Sequence, residues 1–247
     1  MSVPRLVCRS LSKRFGDRLA VDDLSFQVEP GEIYGLIGPN GSGKTTTVKM
    51  VTGLYQPTSG QVLIEGIDLS QDPEGGKRRL GYIPDEPFVY EKMSGREFLH
   101  LVGELYGVRR QARTQRVEEL LDLYEIRQIV DQYVESYSRG NKQKLAIIAS
   151  LLHTPRVLVV DEPIVGLDPQ SAIRTREVVA RFAQAGGSVL VSTHTLGFAE
   201  AVCHRLGLLK NGRLIRDGTL NDLRQGAGLP EASLEALYLC FTDSHPQ

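Results

Sequence analysis

The run Gly38-Pro39-Asn40-Gly41-Ser42-Gly43-Lys44-Thr45 constrains this chain more than any other feature. It matches the pattern GxxxxGK[ST]. It lies between a short apolar run, Ile33 to Ile37, and a stretch from Lys44 to Leu54 that reads as a helix ending near Gly53. Glycines let the backbone curl so that its N–H groups face an anion, and the start of the helix adds its positive dipole end. Lys44 supplies a point charge to β- and γ-phosphates, and the Thr45 hydroxyl suits Mg²⁺. The candidate nucleotide contacts are therefore Gly38 through Thr45, together with Thr46. A chain organised around this loop needs a buried strand before it and a helix after it.

The rest of the chain supplies such layers. Leu6 to Val28 alternates apolar and polar residues and breaks at Gly16-Asp17, which predicts antiparallel strands. Val62–Ile64, Gly81–Ile83, Val157–Val160 and Ser188–Val191 read as further short strands. A helix is expected from about Ser171 to Ala185, closed by Gly186-Gly187, and a hairpin turn at Asn211-Gly212. Strand and helix alternation implies a mostly parallel sheet with helices on its faces. From about Ser94 to Leu152 the pattern turns helical: Phe98, Leu99, Leu101, Val102 and Leu105 share one face, as do Val117, Leu120, Leu121 and Leu123. The expected fold is α/β: one domain over 1–247, with an antiparallel β-subdomain at its N-terminal end. A helical insert occupies about 86–152 and a helical tail about 219–247.

Magnesium bound to phosphate needs a carboxylate. Val157-Leu158-Val159-Val160-Asp161-Glu162 is an apolar strand that ends in two acids. Carboxylates in that position are costly unless they meet a cation or solvent. Asp161 is the candidate for holding Mg²⁺ through water, and Glu162 for polarising the attacking water as general base.

With these residues in order, the chain resembles the ATP-binding cassette (ABC) ATPases over roughly residues 5 to 220. Tyr137-Ser138-Arg139-Gly140-Asn141 is similar to their signature motif, usually LSGGQ. Gly166-Leu167-Asp168 resembles their D-loop, and Ser192-Thr193-His194 their H-loop. Phe15 matches the aromatic that stacks on adenine. The resemblance implies a P-loop NTPase core that binds ATP and Mg²⁺, with Lys44, Glu162 and His194 catalytic. It also implies a second ATPase subunit, identical or closely homologous, whose ATP is met by Ser138 and Gly140. The other implied partner is a separate integral membrane subunit, which this chain would drive from the cytoplasmic face as a peripheral protein. The stretches Gly81–Pro87, Ser94–Glu97, Tyr137–Lys144 and Ser233–Glu235 most resemble exporters of drugs, lipids or polysaccharides.

Four positions depart from the family pattern. Asp85 replaces the Q-loop glutamine; a carboxylate there can also ligate Mg²⁺, but it repels phosphate. Arg139 and Asn141 replace signature residues. Ile164 replaces a small polar residue after the Asp-Glu-Pro. An ABC-type ATPase acting on DNA or ribosomes is the alternative. The gap between Lys44 and Ser138 holds only a compact insert, without the long coiled coil of DNA-repair members. A non-hydrolysing nucleotide sensor would need neither Glu162 nor His194.

Composition narrows the setting. A formal net charge of -1 gives no overall reason to expect nucleic acid. Cys8, Cys203 and Cys240 are scattered, with no zinc or disulfide spacing, and are expected as small buried hydrophobes in a reducing compartment. No apolar run approaches the roughly 20 residues that cross a bilayer, and the start lacks the apolar core of a signal peptide. Arg109, Arg110, Arg113 and Arg116 read as a solvated helix face, with a lipid or partner contact as the other possibility.

Overall fold

Side chains along a β-strand alternate between faces, and the central strands here bury both. A computed structural model describes residues 3–162 and 167–243. Strands β1 (Leu6–Phe15) and β2 (Arg18–Val28) form a hairpin across Gly16-Asp17. With β4 (Ser59–Ile64) and β5 (Ile67–Asp68) they make an antiparallel sheet ordered β2-β1-β4-β5. The second sheet contains β3 (Ile33–Ile37), β6 (Leu80–Ile83), β7 (Val157–Asp161), β8 (Ser188–Thr193), β9 (Arg205–Lys210) and β10 (Arg213–Gly218). Its order is β10-β9-β3-β8-β7-β6, and every pair is parallel except β9 with β10, which turn at Asn211-Gly212. This is the α/β class expected, with a mostly parallel core sheet and an antiparallel sheet beside it.

Strand β7 divides the core. Val157 and Val159 pack with the antiparallel sheet and with Val48, Met50 and Val51 of α1 (Lys44–Val51). Leu158 and Val160 face the other way, onto three helices: α3 (Gly95–Leu105), α4 (Arg110–Tyr124) and α5 (Arg139–Leu151). A short helix, α2 (Pro73–Lys77), precedes β6. Helix α6 (Pro169–Gln184) also packs on the second face, through Val178, Val179 and Ala183. A third cluster lies at the other end of the sheet. Leu234, Leu237 and Phe241 of α9 (Leu234–Asp243) cover Ile37, Leu206 and Leu208, with α7 (Leu196–Val202) and α8 (Leu220–Ala227) alongside. The tail thus seals the end of β3 and β9. Each such aliphatic side chain stabilises the fold by about 1.5–3 kcal/mol when fully buried.

Capping decides several boundaries. Helix α1 runs to Val51, and Thr52 and then Gly53, at φ 67°, turn the chain away, close to the end expected at that glycine. Helix α5 begins at Arg139, where the Ser138 hydroxyl accepts from Asn141 N. Helix α6 begins at Pro169 rather than Ser171, capped by the Asp168 carboxylate. In α4 the buried residue is Tyr124, whereas Leu123 is partly exposed, and Leu105 of α3 lies 73% exposed. Two of the four clustered arginines are paired within the chain: Arg113 with Glu104 and Arg116 with Glu119. Cys8 is buried, Cys203 and Cys240 are partly so, and no disulfide joins any of the three among the described residues. Ile164 and Gly166 lie outside the described residues.

Candidate active site

A parallel sheet collects its loops at the carboxyl ends of its strands, and that is where the candidate residues meet. A cleft of about 540 Å³ is lined by Phe15, Arg18, Ala20, Asn40, Gly41, Gly43, Lys44, Thr45, Thr46, Asp85, Glu162 and His194. The loop between β3 and α1 supplies its floor. Gly43 has φ 109°, and a Cβ there would stand 2.7 Å from Ala20 O, so glycine is the residue this backbone permits. No side chain caps α1, which leaves its first amides open to an anion.

Lys44 is only 6% exposed. Its Nζ donates to Gly38 O at 2.7 Å and Pro39 O at 3.2 Å, closing the loop on itself. Burial pulls its pKa down, and the Glu162 and Asp161 carboxylates oppose that shift. Asp161, 4% exposed, is pushed the other way. Burial is the main cause, Glu162 and Asp85 add to it, and Ser192 and Lys44 work against it. Asp161 Oδ1 is buried with no hydrogen-bond partner among the described residues, as is Ser42 Oγ. Desolvation penalises a charge that lacks a counter-ion; a phosphate beside Lys44 and a cation beside Asp161 would each restore the charged form. This donor set fits a phosphate and a hard, oxygen-preferring cation such as Mg²⁺.

Glu162 follows β7 with φ 49°, an uncommon backbone for a non-glycine residue. Its amide donates to Ser192 O, which ties the turn to β8. Its carboxylate accepts from Thr193 Oγ1 at 2.9 Å, from His194 N at 3.1 Å and from His194 Nδ1 at 2.7 Å. With Nδ1 committed to Glu162, the other ring nitrogen of His194 is left for a ligand, and the side chain is 54% exposed. Phe15, 44% exposed at the end of β1, leans edge-on against Tyr55 at 5.5 Å between centroids.

Not every candidate lies in this cleft. Ser138 and Gly140 do not line it; they open α5 on the helical insert, Ser138 exposed to solvent. Asp168 caps α6, and its pKa is held down to about 2 by the Ser171 hydroxyl and amide. Arg18 and Thr193 were missed by the sequence reading. The Gly16-Asp17 break could have placed Arg18, because a tight turn sets it opposite Phe15. Nothing local marks Thr193 as a partner of Glu162.

The ABC transporter family matches residues 21–165. The chain belongs to that family. As an ABC ATPase it binds and hydrolyses ATP. It is 36% identical over 220 residues to the ABC-type transporter ATP-binding protein EcsA of Bacillus subtilis, covering 89% of both chains. It is 38% identical to the Nod factor export ATP-binding protein I of Burkholderia lata, covering 88% of this chain and 72% of that one. The probable multidrug ABC transporter ATP-binding protein YbhF of Escherichia coli is 36% identical, and this chain spans 40% of its length. A solved structure of the ATP binding subunit of an ABC transporter superposes with a TM-score of 0.92 at 35% identity, over 96% of this chain and 99% of that one. No helix among the described residues is long and apolar enough to cross a membrane.

Proposed function

We propose that the cleft holds Mg·ATP and that Glu162 is the general base for its hydrolysis. The observation that carries this is the placement of Glu162: held by Thr193 and His194, it faces the same cleft as Lys44. Lys44 and the loop amides from Gly38 to Thr46 take the phosphates, and Phe15 carries the adenine. Thr45, Asp161 and Asp85 would hold Mg²⁺, which when bound supplies charge neutralisation at the phosphates. His194 orients Glu162 and turns its free ring nitrogen toward the γ-phosphate.

Two chains pair head to tail in this reading, with Ser138 and Gly140 of each meeting the ATP of the other. The exposure of Ser138 at the start of α5 supports it. A dimeric ATP-binding cassette bound to ADP and Pi, 24% identical, shares the fold at a TM-score of 0.79. A separate membrane subunit docks on the helical insert. Phe88, Tyr90 and Tyr133 stand exposed there, on segments joined to each other by backbone hydrogen bonds through Met93 and Glu91. ATP turnover then drives the export of a substrate chosen by that subunit. The relatives named for Nod factor export and multidrug transport support this direction.

The test is Glu162→Gln. Loss of the base slows turnover by about 10²–10⁴-fold, while ATP still binds through Lys44 and Thr45. The variant accumulates as an ATP-bound dimer in size-exclusion chromatography with Mg·ATP. Unchanged turnover would remove Glu162 from this role.

A further inference from the structure

Two of the departures from the family pattern meet in space. Arg139 Nη2 stands 3.8 Å from Asp85 Oδ1, and no other ion pair to Arg139 is found among the described residues. Glutamine at position 85 and glycine at 139 could not form such a pair. The joint around it is specific. Gln143, 2% exposed, donates from Nε2 to Pro84 O at 3.0 Å, and Lys142 Nζ donates to Glu91 Oε1 at 2.6 Å. The start of α5 is therefore fastened to the 84–91 segment at three points, and one of them is a residue of the nucleotide cleft.

Asp85 creates an electrostatic problem. With Glu162 it brings two carboxylates to the wall of a cleft that must take a polyanion, and Asp161 lies close enough to feel it. A carboxylate beside phosphate is repulsive unless a cation stands between or beside them. Among the described residues, Arg139 is the one that forms an ion pair with it.

We propose that Arg139 is a positioning residue of its own chain's nucleotide cleft, drawing Asp85 aside and cancelling its charge so that the triphosphate can enter. The inference rests on the placement of ATP proposed above. It gives this signature segment a second duty, toward the ATP of its own chain as well as that of the opposite one. The exchange of glutamine and glycine for Asp85 and Arg139 leaves the net charge unaltered, but it adds a charged link between cleft and α5. Both side chains are about half exposed, so the link is weak and is readily traded when Mg²⁺ offers Asp85 a stronger partner. Position 139 is flanked by Ser138 and Gly140, so the nucleotide state of one cleft reaches the segment that a second chain reads.

The experiment is isothermal titration of the full chain with a non-hydrolysable ATP analogue, once with Mg²⁺ and once with a chelator. Arg139→Gln should weaken binding by about two- to fivefold with Mg²⁺, and by more without it, since no other cation then masks Asp85. Arg139→Lys should bind nearly as the wild type does. In an Asp85→Asn background, Arg139→Gln should change nothing. Wild-type affinity in Arg139→Gln would overturn the proposal, and so would a loss that persists beside Asp85→Asn or is blind to Mg²⁺. If Arg139→Gln alone does not fold, the double variant against Asp85→Asn decides: equal affinities support the proposal, and a loss overturns it. Absence of binding by the wild type would instead remove ATP from this cleft.

Discussion

Lys44 and Ser138 stand at the two ends of the machinery proposed for one reaction. Lys44 is buried and makes two hydrogen bonds to its own loop. Ser138 is exposed and spends its hydroxyl on capping α5. The loop side is finished within one chain, because a buried ammonium without partners would be costly. The start of α5 is open to water, which can satisfy its polar groups. In the proposed reading one region is a site and the other half of one, completed by a second chain.

The comparison breaks first at Lys44. Lys44→Ala removes a buried cation that the proposed site aims at the phosphates, and losing such a partner costs about 2–5 kcal/mol, or roughly 30- to 5,000-fold in affinity. Calorimetry should register no ATP binding in the micromolar range, and a variant that binds normally would move the phosphates elsewhere. Ser138→Asp sharpens the contrast from the other side. Aspartate still caps a helix, so the melting temperature should hold, but its charge opposes an incoming phosphate. Turnover at saturating ATP and ATP-driven dimerisation should fall by about 100-fold, with ATP affinity of the single chain unchanged. A drop in that affinity would place Ser138 on its own chain's nucleotide.

A third test concerns how the insert is anchored. His153 follows α5, stacks on Tyr106 at 3.8 Å and bonds through Nε2 to Leu80 O of β6. Its Nδ1 is buried without a hydrogen-bond partner among the described residues, and burial lowers the pKa from 6.5 to about 4, the bond to Leu80 O opposing that shift. The unfolded chain therefore takes up this proton first as pH falls. The contribution to stability is complete above about pH 6.5 and is lost on acidification toward pH 4, by at most about 3 kcal/mol. Hydrogen exchange at pH 5 should loosen α3 and α5 before β3 and α1, and His153→Phe should flatten that dependence. Uniform loosening of both regions would mean the insert and the core share one anchor. The smallest effect is expected from Phe15→Ala, which removes one aromatic face and should weaken ATP by about 1 kcal/mol, near fivefold. Loss of triphosphate binding as a whole would mean that Phe15 instead supports the loop.

The phosphate loop, the acids ending β7 and the helical insert were legible in the residues, because each is written in a contiguous stretch. Strand and helix periods are local too, so the element types came through while their ends did not. Ser138, Thr52 and Asp168 set those ends by single side-chain or backbone bonds, which a hydrophobic period does not register. Leu123 and Leu105 fit a helical face on paper; in the fold both face outward, and α4 turns Tyr124 inward in place of Leu123. The role of the tail was also hidden. Leu234, Leu237 and Phe241 form an apolar stripe whose partner, the end of β3 and β9, lies far away along the chain.

What the sequence by itself determined is the chemistry on offer: a glycine-rich loop with Lys44 and Thr45, a carboxylate pair at Asp161 and Glu162, and a histidine one strand later. Tertiary structure alone decided which of these groups touch. Adjacency of β7 and β8 in the sheet brings Thr193 and His194 onto Glu162. Packing of α5 beside the loop after β6 brings Arg139 to Asp85. Neither pairing has a period or a spacing to announce it. Each arises because burying the two faces of the sheet leaves a single arrangement of layers, and the loops at its edge meet wherever that arrangement sets them.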